Sequence, residues 1–349
     1  RPDGKPDILQ FIEHGTLNLV AQAEIIEHMS QTLSNSVLDN YHHLGDAASL
    51  TDGLPYNPNL GPYEKAADGK SSGVKDDMWA FTSRNASLDL RAATMFAAAS
   101  RALKGYNDDL SARALAQSKR LLKEATEILA KQPQDRPGRG GGGDMATNLQ
   151  LYISTGEQQY IDKFQQMLWP ALDRNVSFTL STALDAIPHM DAAYKEKLRP
   201  YVVKYKDYIE GLEKDNPYGV PIGLGNWAGG GAVVNFGTTL CFANQHFPEI
   251  IDASHAFKVT NWLFGCHPYH NYSLVAAVGA ARPKAVFYGN NRADFSFIPG
   301  NVAPGLLFRK PDHFENYDDW PFLWGQNEGT IAGNTGYLIF GSAFKNLVK

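Results

Sequence analysis

Two cysteines in 349 residues, Cys241 and Cys266, are too few for a disulfide-stapled scaffold and show no zinc-ligand spacing. They allow at most one disulfide, and because both fall in apolar segments they read as buried free thiols. No apolar run approaches the roughly 20 residues that a membrane-spanning helix needs. Lys and Arg are not in excess: 32 of them face 37 Asp and Glu, a net charge of -5 with a pI near 6.1. That balance argues against a nucleic-acid partner, whose phosphates demand clustered positive charge, and leaves neutral or weakly charged ligands. No Asp-x-Asp-x-Asp calcium loop is present, and no leader peptide is visible at Arg1-Pro2-Asp3-Gly4. The glycine run Arg139 to Gly143 has no Lys-Ser or Lys-Thr after it and no strand before it, so it is not a phosphate loop. Asp144 instead reads as the cap of a following helix. Sequons at Asn85, Asn175 and Asn271 are motifs short enough to arise by chance.

Strand-period alternation is also scarce, and helical periodicity fills the chain. A hydrophobic fraction of 43% and a charged fraction of 20% are globular values. Pro6 opens a first helix through about Met29. Tyr41 to Asp76, rich in Gly, Pro, Asn and Asp, reads as a long irregular excursion of the kind that rims a binding cleft. From Ser87 to Leu103 the residues Leu88, Ala92, Met95, Phe96, Ala99 and Leu103 step by three and four, which predicts one buried helical face. Asn107-Asp108-Asp109 makes a turn into a second helix ending near Ala130. The same cadence pairs Met145–Ile153 with Gln158–Leu168, Ser177–Ala186 with Ala192–Leu212, and Ala232–Gln245 with Ile250–Phe264, before a last helix from Glu328 to Leu347. Helical hairpins at intervals of roughly 40 to 50 residues predict an all-α domain in which paired helices form a ring, an α/α toroid with a cleft at one end. An all-α domain without ring closure fits the pattern as well.

The chemistry concentrates between Tyr317 and Asn334, where Asp318, Asp319, Trp320, Phe322, Trp324 and Glu328 crowd into one loop. Flat aromatic faces stack against pyranose rings and exclude water, and a carboxyl among them keeps its proton to higher pH, as a general acid requires. On this stretch alone, an aromatic-rich loop capping a core is the simpler account.

The spacing of Asp318-Asp319, Asn327-Glu328 and Asn334 before a hydrophobic helix resembles the C-terminal signature of glycoside hydrolase family nine, the inverting cellulase-like enzymes. The resemblance extends through Pro6-Asp7-Ile8-Leu9, Asp89-Leu90-Arg91-Ala92-Ala93 to Arg101, Leu151-Tyr152-Ile153-Ser154-Thr155-Gly156 and Trp262-Leu263-Phe264-Gly265-Cys266-His267-Pro268, in the family's order. It implies an (α/α)6 barrel spanning residues 1–349 as one catalytic domain, with its N-terminal helices missing. Glu328 is then the catalytic acid, and Trp324 and Trp320 stack the sugar. Asp318 and Asp319 position the loop or touch substrate. The expected ligand is a β-linked glycan, no cofactor is required, a structural calcium ion is admitted without a placed site, and an exported location follows from polymeric substrate.

Two departures accompany the resemblance. The family's Asp-x-Gly-Asp base motif is absent; the nearest match, His43-Leu44-Gly45-Asp46, lacks the first aspartate and follows the first helix instead of preceding it. The family's His-His-Arg substrate motif is replaced by a segment in which Arg292 and Asp294 could bond sugar hydroxyls or simply pair with each other. His270, beside His267, Tyr269 and Tyr272, lines the cleft or satisfies loop carbonyls; the same His and Tyr types would serve a polysaccharide lyase, which also needs a cationic clamp not seen nearby. A carbohydrate-binding toroid without turnover is the main alternative.

Overall fold

In the computed structural model the described residues are 4–31, 33–34, 41–43, 52–77, 79–81, 83–131, 143–222, 230–266, 271–279, 282–283, 299–303 and 329–349. They form two compact units, Arg1–Trp169 and Pro170–Lys349.

In the first unit α1 runs Asp7–Ile25, with Pro6 as N-cap residue. Its end is tied down by Arg120, from a helix far along the chain, which donates to Ala23 O in the last turn at 2.8 Å and to Glu27 O, just past the helix, at 2.9 Å. Helix α2, Ala86–Leu103, is capped by Asn85, whose side chain accepts from the amides of Ser87 and Leu88. Its buried face is Leu90, Ala92, Ala93, Phe96, Ala97 and Leu103, together with the polar Asp89 and Ser100. The face is rotated from the expected one: Met95 is 52% exposed. Alanine is the reason, because Ala92 and Ala93 pack with Leu110, Ala114 and Leu121 of α3, Asp108–Ala130, on a side that larger apolar residues alone do not mark. Ser118 Oγ reaches Ala93 O at 2.6 Å across that seam, and Ser111 Oγ reaches Ser100 O at 2.6 Å.

Helix α4, Gly143–Thr155, packs mainly on α2. Arg101 ties the two by donating to Gln150 O at 3.0 Å and to Ser154 Oγ at 2.7 Å. Asp144 sits inside the first turn and bonds the adjacent Met145 amide, so the expected capping role is corrected: the helix has already begun at Gly143. Gly156, at φ +71, then turns the chain out of α4 in a left-handed conformation that suits glycine. Helix α5 follows as Gln158–Arg174.

Three very short strands, β1 (Leu33–Ser34), β2 (Tyr41–His43) and β3 (Trp79–Phe81), form an antiparallel sheet in the order β1-β3-β2. Residues 52–77 are turns and isolated bridges, as the composition of that excursion predicts.

The second unit contains α6 (Val176–Ala186), α7 (Ala192–Lys214), α8 (Gly230–His246), α9 (Ser254–Leu263) and α10 (Ile331–Leu347). Helix α6 packs on α7 and α8 packs on α9, the expected pairings, while α8 also lies against α10. Its core joins Val233, Val234, Cys241, Val259, Trp262, Leu263, Leu274 and Phe340. Gly237 lies at the tightest point: a Cβ there would sit 2.7 Å from Phe340 Cε2 and 2.8 Å from Val259 Cγ1. Both cysteines are free thiols, but only Cys241 is buried; Cys266, past the end of α9, is exposed, contrary to expectation. The apolar flank of Cys266 is spent on Trp262 and Leu263, which the helix turns inward instead.

Candidate active site

The expected site residues Glu328, Trp324, Trp320, Asp318, Asp319, His270, Arg292 and Asp294 all lie outside the described residues. What is described is the framework that flanks them in sequence, and it converges. His270 belongs to residues 267–270, bounded by Cys266 and Asn271. Arg292 and Asp294 fall between Pro283 and Pro299, and the remaining five between Ala303 and Gly329.

These bounding segments are woven together by main-chain hydrogen bonds. Leu274 N donates to Leu263 O, at the end of α9, at 2.9 Å. Ala303 N donates to Leu274 O at 2.8 Å, Ala276 N to Asn301 O at 2.9 Å and Gly300 N to Ala276 O at 2.8 Å, around an antiparallel bridge between Val275 and Val302. Strand β4, Tyr272–Ser273, pairs in parallel with β5, Arg282–Pro283. Ser273 is fully buried and its hydroxyl accepts from Val275 N at 3.1 Å while donating to Val278 O. Gly279 closes the turn at φ +98, where a Cβ would meet Phe264 O at 2.6 Å, so glycine is required on both counts. Leu274, Val275 and Ala276 are buried, which makes this a packed knot and not a surface turn.

One side chain locks α10 to the knot. Asn334 Oδ1 accepts from Val302 N at 2.9 Å, and its Nδ2 donates to Asn301 Oδ1 at 2.7 Å and to Thr330 O at 3.0 Å. Thr330 caps α10 by accepting from Gly333 N at 3.0 Å. The last helix therefore begins at Ile331 and not at Glu328, because the Thr330 hydroxyl satisfies the amide of Gly333, the third helical residue, and fixes the boundary. Sequence spacing marked Asn334; Asn301, Thr330 and Ser273 went unmarked, and only Thr330, a capping type before an apolar helix, carried a local signal.

Among the described carboxyls, Asp185 on α6 is reached by water yet crowded by protein, and this desolvation pushes it up to about 6. Burial also raises Asp144, against the pull of the Met145 amide. In the second unit, Glu213 is buried between His255 Nδ1 at 2.8 Å and Lys258 Nζ at 2.6 Å. Burial, the largest influence, pushes its carboxyl up, but the hydrogen bonds and charges of His255 and Lys258 prevail and hold it below the usual range. Among the described residues no group of three or more His, Cys, Asp or Glu could hold a metal ion, and no helix is long and apolar enough to cross a membrane.

A model of glycosyl hydrolase family 9 matches residues 64–340. Among solved structures, a metagenome-derived glycoside hydrolase family 9 endoglucanase superposes with a TM-score of 0.64 at 19% identity, covering 98% of this chain and 62% of its own. A family 9 protein of Bacteroides ovatus gives 0.60 at 18% identity, with 98% and 70% covered. An endoglucanase from the termite Nasutitermes takasagoensis gives 0.58 at 17% identity, with 78% and 68% covered. The chain thus spans less than two thirds of the first of these structures. No curated protein matches it. The likeness shows the fold class, the (α/α)6 barrel that the family resemblance implies and that the paired helices of the sequence fit.

Proposed function

The chain belongs to glycosyl hydrolase family 9, and on that premise we propose that it is the greater part of an inverting glycoside hydrolase acting on a β-linked glucan or a related oligosaccharide. The observation that carries the reading is the family match itself, which runs from residue 64 through the signature loop to residue 340. The knot supports it, because residues 263–279, 299–303 and 330–334, which adjoin the segments with expected site residues, are hydrogen-bonded together.

In this reading Glu328 holds a proton and donates it to the glycosidic oxygen as the bond from the anomeric carbon to that oxygen breaks. A water attacks the anomeric carbon from the opposite face and gives up a proton to a second carboxylate, set about 6.5 to 9.5 Å from the acid so that water fits between base and ring. Residues 1–349 do not supply that base in Asp-x-Gly-Asp form. Trp324 and Trp320 stack the sugar, Asp318 and Asp319 shape the loop, and His270, Arg292 and Asp294 bond hydroxyls. Residues 1–349 act as one catalytic domain, no cofactor enters the reaction, any calcium ion is structural, and the polymeric substrate places the protein outside the cytoplasm.

The test is Glu328→Gln in the full-length protein. Hydrolysis of cello-oligosaccharides should fall by about 100-fold or more, the range a general acid contributes, with binding kept; proton NMR of the wild-type reaction should show the α-anomer first. An unchanged rate removes Glu328 from the mechanism. The competing reading is glycan binding without turnover. That reading predicts retention on immobilised glucan and no reducing ends released by the wild type.

A further inference from the structure

We propose that the first unit carries a carbohydrate site of its own, a cavity for one neutral sugar ring between the segment after α1, the start of α2 and the end of α3. The inference goes beyond the hydrolase reading and uses none of its site residues.

The cavity measures about 330 Å³, and Gln31, Ser83, Arg84, Asn85, Ala86 and Leu129 line it. That is the small end of the roughly 300–1,000 Å³ found for small-molecule sites, room for a single pyranose and not for a chain. One ionic network sets its walls. Asp89, fully buried, accepts from Met29 N at 2.8 Å and from Arg84 Nε at 2.7 Å, which brings the segment carrying Gln31 up against the start of α2. Arg84 Nη2 reaches Glu124 Oε2 on α3 at 2.8 Å. Glu124 also takes Arg120 Nη1 at 2.9 Å, and Arg120 in turn holds the carbonyls of Ala23 and Glu27. All three walls are therefore fixed before any ligand arrives.

The network also selects the class of ligand. Arg84 and Arg120 are matched by Asp89 and Glu124, so it has no spare charge to offer an anion. The α2 N-terminus offers little more, because Asn85 Oδ1 already accepts from the amides of Ser87 at 3.1 Å and Leu88 at 3.3 Å. Neutral hydrogen-bonding capacity remains. Arg84 Nη1, Asn85 Nδ2, the Gln31 amide and the Ser83 hydroxyl have no partner among the described residues, and they offer both donors and acceptors. Ala86 and Leu129 supply an apolar surface beside them. Hydroxyls around a rim and an apolar C–H face are what a pyranose presents to such a wall.

The experiment titrates the 15N-labelled full-length protein with glucose, the unit of the glucan proposed above, and follows side-chain amide signals by NMR. The Gln31 and Asn85 signals are assigned from their loss in Gln31→Ala and in Asn85→Ser, which keeps a helix cap. Both should shift saturably, with a Kd in the millimolar range set by so few ligand atoms. Gln31→Ala should raise the Kd read from Asn85 by about fivefold, the loss of one hydrogen bond. Ser83→Trp, which fills the cavity from an exposed position outside any helix, should abolish the shifts. Arg84 is left intact, because its removal would strand Asp89. No saturable shift with glucose, a shift that Ser83→Trp leaves unchanged, or inorganic phosphate moving these signals in place of glucose would overturn the inference. The readout needs no turnover, so it stands or falls separately from the assignment of Glu328.

Discussion

At the scale of single residues, stability in this protein hangs on buried polar groups that have partners. Asp89 is fully buried and would be expensive to hold there alone; the Met29 amide at 2.8 Å and Arg84 Nε at 2.7 Å compensate it. Glu213 is held in the same way, one carboxylate oxygen by His255 and the other by Lys258. Glu213→Ala should destabilise the second unit by about 2 kcal/mol, since it leaves the buried His255 without its partner while the half-exposed Lys258 turns to water; urea unfolding measures it, and a change under 1 kcal/mol would show that water reaches the site. Asp185 behaves oppositely with pH. Its carboxyl is harder to ionise in the folded chain, at about 6, than at its ordinary value of 3.8. The folded state then binds the proton more tightly, so this contribution is complete below about pH 4 and is lost as pH rises through about 6. Asp185→Asn should flatten the pH dependence of the melting temperature across that window.

Among elements, caps and close contacts set the boundaries. Asn85, Asn107, Asn175, Asp191 and Thr330 each accept from an amide in the first turn of the helix they precede. Asn107→Ala should weaken the protein by about 1 kcal/mol by removing such a cap, readable from the urea midpoint at unchanged slope. Two of these caps, Asn85 and Asn175, are also sequon asparagines, so a local structural role accounts for them without glycosylation. Gly237→Ala should lose about 2 kcal/mol, because its methyl would press on Phe340 and Val259 from two helices at once; retention of wild-type stability would mean that α10 can shift outward. These details divide what sequence shows from what it hides. Helix α2 was legible to within a residue from its apolar spacing, and α3 to within two, since Asp108 and Asp109, read as turn, already belong to the helix that Asn107 caps. The buried face of α2 was not, since alanine and Asp89 give periodicity no weight. The start of α10 was misplaced for the same kind of reason: one hydroxyl outvoted an apolar run.

For the molecule as a whole, the charge is modest and dispersed. Ion pairs such as Arg113–Glu24 and Arg199–Glu196 lie at the surface, where each contributes under about 1 kcal/mol. Turnover of a neutral glucan should therefore change by less than about twofold between 10 and 500 mM salt, since screening removes only interactions this substrate does not use; a tenfold fall would indicate a charged substrate such as a uronate. The family was legible at this scale from weak motifs in the right order, whereas the site framework was not, because Leu263, Leu274, Asn301 and Ala303 meet through main-chain atoms that no side-chain pattern announces. That same framework bears on how the intervening stretches vary over generations. With its roots held by main-chain hydrogen bonds and a shared apolar core, such a framework lets the stretches between them exchange residues one at a time while the foundation stays the same.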